Sequence, residues 1–201
     1  MTIPERRIYM ARISKNPEER KAEIMDASLE LFAIKGYENT AVSDIVKKIG
    51  VAQGTFYYYF KTKEDIMHAL INRFMTVHED YIKTIDEDIN LSLAEKVNGI
   101  LFTSTLHPKV ADFLHHENNA WIHQKFLVKK INEMTPYLSR ILAEGTKEGY
   151  FKVEHAQETA EFLLTAVNFM LDPGIFELKD SKLEEKKNVV KNIVNNLVIK
   201  D

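Results

Sequence analysis

The stretch that decides the fold is GVAQGTFYYYF, residues 50–60. A glycine opens it, and a short helical pattern follows after a tight turn. At about 100° per residue, Phe56 and Phe60 point toward a core, whereas Gly54 and Tyr58 lie on the opposite face. Because glycine costs about 1 kcal/mol relative to alanine inside a helix, this helix is not optimised for its own stability. The pattern indicates a helix that a large partner approaches closely.

Two more helices are predicted before this one. Asn16-Pro17-Glu18-Glu19 combines a capping side chain, a proline at the first helical position and acids near the positive end of the helix dipole. The first helix is therefore predicted over residues 17–35. Thr40 is predicted to cap a second helix that ends at Gly50, where glycine permits a left-handed turn. A helix that is followed by a tight turn at a glycine and then by another helix is the sequence pattern of a helix-turn-helix.

These residues resemble the DNA-binding domain of the TetR family of bacterial regulators. The resemblance covers residues 17–70 and includes the turn glycine, the tyrosine-rich third helix and the run Lys61-Thr62-Lys63-Glu64. It implies an all-α fold whose helix-turn-helix domain spans residues 17–62. This sequence departs from the family pattern at Ala52, where a capping serine or threonine is common, and at Tyr59, where histidine is frequent.

The resemblance implies two sets of DNA contacts. The residues entering the major groove would be Gln53, Gly54, Thr55, Tyr57 and Tyr58. The residues contacting the DNA backbone would be Thr40, Tyr59 and Lys63. A glutamine amide can read adenine bidentately, and tyrosines can contact thymine methyls or phosphates. A lysine at the first position of a helix opposes the helix dipole unless an anion such as a phosphate lies beside it.

Charge is uneven along the chain, although the formal net charge is only −3. Residues 1–63 contain eleven Lys and Arg against eight Asp and Glu. This excess is compatible with a polyanionic partner, but charge alone favours ordinary variation in a solvated surface. A flexible basic DNA-binding arm is predicted over residues 1–16, with an unstructured tail as the equal alternative. Its basic side chains are Arg6, Arg7, Arg12 and Lys15.

Residues 63–201 are predicted to form a helical regulatory and dimerisation domain, which gives about nine helices in the chain. Thr135-Pro136 either interrupts or restarts the seventh helix. The resemblance implies that the last two helices of each subunit pair into a four-helix dimer bundle, with core closure in the monomer as the alternative. The predicted dimer residues are Ala160, Leu164, Val167, Val190, Ile193, Val194 and Leu197.

Aromatic side chains of the C-terminal helices are candidates for lining a ligand cavity, although each is also an ordinary core residue. They are Phe74, Phe102, Phe113, Trp121, Phe126, Tyr137, Phe162 and Phe169. No strong charged cluster falls among them. The sequence therefore favours a small, mainly apolar effector and predicts no cofactor.

Catalytic motifs are not found: the sequence has no nucleophile elbow, phosphate loop or dinucleotide fingerprint. The absence of cysteine excludes disulfides and thiolate metal sites. His115, His116 and His123 form the best alternative cluster, but ordinary histidines are favoured over a metal site because no His-Glu-x-x-His spacing is present. A non-enzymatic regulator is predicted, with a histidine-metal enzyme as a distant alternative.

The sequence thus predicts a homodimeric repressor that binds an inverted-repeat operator in double-stranded DNA and is released by a small effector. A DNA-binding regulator controlled by a protein partner is the runner-up. The longest apolar run, near residues 162–171, is about half a membrane span. A cytoplasmic protein without a membrane partner is expected.

Overall fold

The computed structural model describes residues 16–104, 106–176 and 180–200. Within them the regular structure is helical apart from one isolated bridge between Phe151 and Ile199, which confirms the all-α prediction. The helices are α1 (Pro17–Lys35), α2 (Val42–Ile49), α3 (Gln53–Tyr59), α4 (Lys63–Glu87), α5 (Leu93–Phe102), α6 (Pro108–His115), α7 (Ala120–Lys147), α8 (Ala156–Met170), α9 (Pro173–Phe176) and α10 (Asp180–Val198). A 3₁₀ turn, Glu117–Asn119, links α6 to α7.

Local signals account for the boundaries of the N-terminal helices. The Asn16 side chain accepts a hydrogen bond from the Glu19 N–H at 2.8 Å, and Gly36 ends α1 with φ +79°. Gly50 follows α2 in the left-handed conformation, φ +69° and ψ +36°. A β-branched residue would be strained there. The turn between α2 and α3 therefore has the predicted form.

The predicted cap of α2 is wrong by one residue. Ala41, not Thr40, is the N-cap, and the Asp44 carboxylate accepts from the Ala41 N–H at 3.3 Å. Alanine has no side-chain acceptor, so an acid in the first turn takes over part of the capping role.

The C-terminal helices form a layered bundle around α7. This helix runs through Pro136 without ending, which settles the open question of an interruption. It packs mainly against α8, and it also contacts α4 and α5. The end of α10 is tied to the α7–α8 connection because Lys152 N–H donates to the Val198 carbonyl at 2.9 Å.

Some features lie beyond what the sequence predicts or outside the described residues. The short helix α9 adds a helical turn after α8. The predicted arm over residues 1–16 lies outside the described residues except for Asn16. Among the helices of the described ranges, none is long and apolar enough to cross a membrane.

Candidate DNA interface and ligand cavity

The third helix presents a polar and aromatic face to solvent. Phe56 is fully buried and anchors α3, whereas Tyr57 and Tyr58 are 50% and 77% exposed. Gln53 and Gly54 are also exposed, and a Cβ added at Gly54 would meet nothing within 4 Å. The fold therefore does not require glycine at this position. Glycine would permit a close approach by another molecule, which stays a prediction.

The remaining groove candidate, Thr55, and the predicted backbone contact on this helix, Tyr59, are partly covered. Thr55 and Tyr59 are half-buried, and the Tyr59 ring stands edge-on to the Tyr58 ring with centroids 4.9 Å apart. The helix therefore offers an outer face with two half-covered flanks. The roles of its individual side chains on DNA stay a prediction.

Thr40, a predicted contact with the DNA backbone, has a buried side chain. Thr40 is 1% exposed, and its hydroxyl donates to the Gly36 carbonyl at 2.8 Å. The residue closes the loop that begins at Gly36, and its contact with DNA stays a prediction.

Lys63 also has an internal partner instead of the anion that its helix position suggested. Its Nζ donates to the carbonyls of Tyr37 at 2.6 Å and Thr40 at 3.0 Å, and lies 4.2 Å from the centroid of the Tyr37 ring. Burial lowers the pKa of Lys63, and the negative charge of Glu38 opposes this shift. Lys63 thus fixes the α1–α2 loop to the start of α4.

A cavity of about 330 Å³ lies among α5, α6, α7, α8 and the start of α10. Phe102 and Phe126, two of the predicted aromatics, line it. Leucine and valine side chains complete an apolar wall: Leu101, Leu106, Leu127, Val167 and Leu171. This volume suits a small molecule.

One end of the cavity is polar, which the sequence did not indicate. Asp172 lies between two imidazoles, with Oδ2 2.8 Å from His123 Nε2 and Oδ1 3.5 Å from His115 Nε2. Burial raises the pKa of the Asp172 carboxyl, but hydrogen bonds from His115 and His123 outweigh it and hold the pKa below its usual range. His116 is not part of this group, because its Nδ1 accepts from the Asn118 N–H at 3.2 Å.

Lys130 is a second polar feature of the cavity that sequence reasoning missed. Its Nζ donates to Asn168 Oδ1 at 2.8 Å, and burial lowers its pKa to about 8 against the attraction of Asp172. No short-range motif marks Lys130 or Asp172, because helix packing alone brings α7 and the segment after α8 together. The expectation of a mainly apolar cavity is therefore incomplete.

Six of the eight predicted cavity aromatics lie elsewhere. Phe113 is fully buried between Phe32 and Phe74, with ring centroids 6.0 and 6.4 Å away. Phe162 and Phe169 are 62% and 37% exposed because they lie on the outer face of α8. Two further side chains are partly buried outside this cavity: Trp121 and Tyr137.

The predicted dimer residues divide between core and surface. Ile193 and Leu197 are exposed on α10, but the others are buried within the monomer: Ala160, Leu164, Val167, Val190 and Val194. In this packing they lie in the monomer core, and an interface role for them stays a prediction. The exposed apolar stripe that replaces them, named here the outer stripe, consists of Phe162, Phe169, Val189, Ile193 and Leu197.

A buried amide connects the helix-turn-helix to the helices of the cavity. Asn119 Oδ1 accepts from the Tyr37 N–H at 2.7 Å, while its Nδ2 donates to the carbonyls of Phe113 at 2.7 Å and Phe32 at 3.2 Å. The Tyr37 ring also stands edge-on to Trp121 at 5.4 Å. The α1–α2 loop is thereby attached to the α6–α7 junction.

Comparison with known proteins agrees with this architecture. Residues 24–70 match the family described as bacterial regulatory proteins, tetR family, and residues 106–193 match the tetracyclin repressor-like C-terminal domain. A fatty acid metabolism regulator protein of Bacillus subtilis is 34% identical over 150 residues, which cover 69% of this chain and 74% of that protein. The chain belongs to the TetR family of bacterial transcriptional regulators. Its function is DNA-binding regulation of transcription, and its homologues are regulators rather than enzymes.

Solved TetR-family structures show the same fold. A regulator of Syntrophomonas wolfei is 26% identical, with a TM-score of 0.67 over 89% of this chain and 94% of that one. A transcriptional regulator of Saccharomonospora viridis in complex with choline has a TM-score of 0.68 at 18% identity, covering 92% of this chain and all of that one.

Replacing Lys63 with methionine tests its internal role. Lys63→Met is expected to lower the free energy of unfolding by about 1–3 kcal/mol, because partly buried carbonyls lose a charged donor. The exposed Lys61→Met control is expected to change it by less than about 0.5 kcal/mol. Chemical denaturation measures both. The opposite result would be a Lys63→Met protein as stable as the parent, whose DNA affinity depends less on salt, by about one phosphate contact. That result would show that Lys63 contacts a DNA phosphate.

Proposed function

We propose that this regulator is a homodimeric repressor that binds an inverted-repeat operator and leaves it when a small effector occupies the cavity. The effector that fits has an apolar body and one polar or anionic head. Apolar walls around Phe102 and Phe126 support the first part. The polar end, with Lys130 and the two histidines beside Asp172, supports the second.

The observation that carries this proposal is the attachment of Tyr37 to Asn119. His115 and His123 line the cavity, and they flank the 3₁₀ turn in which Asn119 lies. A ligand that displaces either side chain therefore moves the turn, and the turn holds the loop leading into α2 through a buried hydrogen bond. Since α2 packs against α3, the recognition helix would move with it.

The coupling required for such release is modest. An effector can release DNA only if it binds the DNA-incompetent conformation more tightly, and a hundredfold loss of DNA affinity needs about 2.7 kcal/mol. Loss of one or two buried hydrogen bonds supplies free energy of this order. The α6–α7 junction alone could therefore transmit the effect of the ligand to the DNA-binding helices. The α4 helix also links the cavity helices to the DNA-binding helices.

The outer stripe supports the homodimer. Its apolar side chains lie on α8 and α10, where a second copy could cover them with the same two helices. A dimer is also what the DNA function requires, since one short recognition helix contacts too few bases to select a site.

The relative that regulates fatty acid metabolism suggests the first effector class to test. Compounds with an acyl chain and an acidic head match both ends of the cavity. The head would lie near Lys130, where a charge-assisted hydrogen bond is strongest because water is excluded.

A charge placed in the outer stripe tests the dimer and the operator symmetry together. Ile193→Glu is expected to give a monomer in light scattering, because an unpaired charge would be buried at the interface. Selection from random DNA duplexes with the parent protein is expected to yield inverted repeats whose half-sites lie about 10 base pairs apart or a multiple of this. The variant is expected to lose their tight binding.

Asn188→Glu provides the matched control, because Asn188 is exposed on α10 but lies off the outer stripe. It is expected to remain dimeric. A dimeric Ile193→Glu protein that still binds the selected DNA would contradict the proposed interface.

Effector release can be followed with Trp121, the only tryptophan of the chain. Trp121 contacts the Tyr37 ring rather than the cavity, so its emission reports on the α6–α7 junction. Titration with straight-chain fatty acids of increasing length is expected to change the emission and release DNA over the same concentration range. Release of DNA with unchanged emission would exclude this junction as the route.

A further inference from the structure

Three potential metal ligands converge at the polar end of the cavity. His115 is the last residue of α6, His123 lies in the first turn of α7, and Asp172 directly precedes α9. One ligand atom from each residue lies within 4.8 Å of the other two. Each imidazole directs Nε2 toward the same carboxylate, at 3.5 and 2.8 Å. The three donors therefore converge although they come from three separate segments.

We propose that His115, His123 and Asp172 bind a divalent first-row transition metal of the zinc class. Two imidazole nitrogens and one carboxylate oxygen are donors that suit zinc, cobalt and nickel, whereas magnesium and calcium prefer oxygen ligands. Three protein ligands leave one position of a tetrahedral centre open. All three residues line the cavity, so that position faces the space where a small molecule would bind.

The spacing of the donors fits such a centre after small side-chain movements. Bonds of about 2.0–2.1 Å place tetrahedral ligand atoms about 3.3 Å apart. His123 Nε2 and Asp172 are slightly closer than this, and His115 Nε2 and Asp172 are slightly farther apart. These two distances are to different oxygens of Asp172, and one ligand atom from each residue lies within 4.8 Å of the others, so side-chain movement would have to bring the three donors to this spacing.

Besides Glu184 and Lys187 of α10, the cavity lining contains a buried charge that opposes a metal ion. Lys130 is buried in the same cavity and interacts electrostatically with Asp172. A second cation weakens the binding of a metal ion, most strongly where water is excluded. Replacing Lys130 with a neutral side chain of similar volume is therefore expected to tighten metal binding. A cluster held only by hydrogen bonds would not show this effect.

The position of the site gives it a regulatory consequence, which rests on the proposed function. His115 and His123 lie on either side of the turn that carries Asn119. A metal that binds both side chains would fix the separation of α6 and α7, and with it the support of Tyr37. Metal occupancy would thus alter the same junction that the effector moves.

Titration with cobalt tests the site without DNA or effector. The full-length protein, first freed of metal with a chelator, is titrated with Co²⁺ while its visible d–d absorption and Trp121 emission are recorded. The expected result is one Co²⁺ per chain, absorption typical of a low-coordinate nitrogen and oxygen site, and displacement by Zn²⁺. Octahedral aqueous Co²⁺ absorption throughout the titration would overturn the proposal.

Two variants test proposed donors, and a third tests the opposing charge of Lys130. Asp172→Asn keeps an acceptor for the Ile175 N–H, which Asp172 Oδ1 accepts at 3.1 Å, so α9 retains its cap. This variant and His115→Gln are expected to weaken Co²⁺ binding at least about 100-fold, the upper end of the loss from removing a second-shell partner. Lys130→Met is expected to tighten it severalfold.

The exposed His155→Ala variant is the matched control for removing a histidine away from the cluster, and it is expected to bind Co²⁺ like the parent. Thermal unfolding of each metal-free variant checks its folding. Equal Co²⁺ binding by folded Asp172→Asn and parent proteins would contradict the site. Because no DNA is present, that result would leave the proposed repressor function standing, and loss of operator recognition would likewise leave the metal site untouched.

Discussion

One buried side chain, the amide of Asn119, attaches the loop that leads into the DNA-binding helices to the helices around the cavity. It satisfies three backbone groups at once: the N–H of Tyr37 and the carbonyls of Phe32 and Phe113. A buried amide left without these partners would cost about 1–3 kcal/mol for each unsatisfied group. The DNA-binding helices and the helices around the cavity therefore share this buried polar contact, as well as the aromatic core between α1, α4 and α6.

The close approach at the same junction explains a second feature of the sequence. A Cβ added at Gly36 would lie 2.6 Å from the Cβ of Asn118, and Gly36 has φ +79°. Glycine is thus required there for backbone conformation and for space. Lys63 fixes the other side of the same loop through the carbonyls of Tyr37 and Thr40. The loop before α2 is consequently supported from both the α6–α7 junction and α4.

The sequence predicts the features that depend on neighbouring residues. The capping boxes at Asn16 and Thr62 and the left-handed Gly50 turn are all found where the local pattern puts them. The exposed face of α3 also follows from the helical period, since Phe56 and Phe60 point toward the core. Signals of this kind act within a few residues, so one sequence is enough to find them.

Features that depend on packing between distant segments could not be predicted in this way. Asp172 meets His123 only because α8 folds back along α7. Likewise, α8 has apolar residues on two faces, and periodicity cannot tell which face the monomer covers. The small Ala160 fits inside against α7, which leaves Phe162 outside. Thr40 and Lys63 carry the residue types of phosphate contacts, but tertiary packing turns both toward the α1–α2 loop.

Native-state hydrogen exchange at the Tyr37 amide tests the central claim most directly, because this N–H donates to Asn119. In the parent protein it is expected to be as strongly protected as the amides of the α7 core. Asn119→Ala is expected to raise its exchange rate by roughly tenfold or more, the equivalent of about 1.4 kcal/mol. Asn118→Ala, which keeps the Cβ against Gly36, is expected to leave the rate unchanged. Fast exchange at Tyr37 in the parent, or equal rates in parent and Asn119→Ala, would contradict the account.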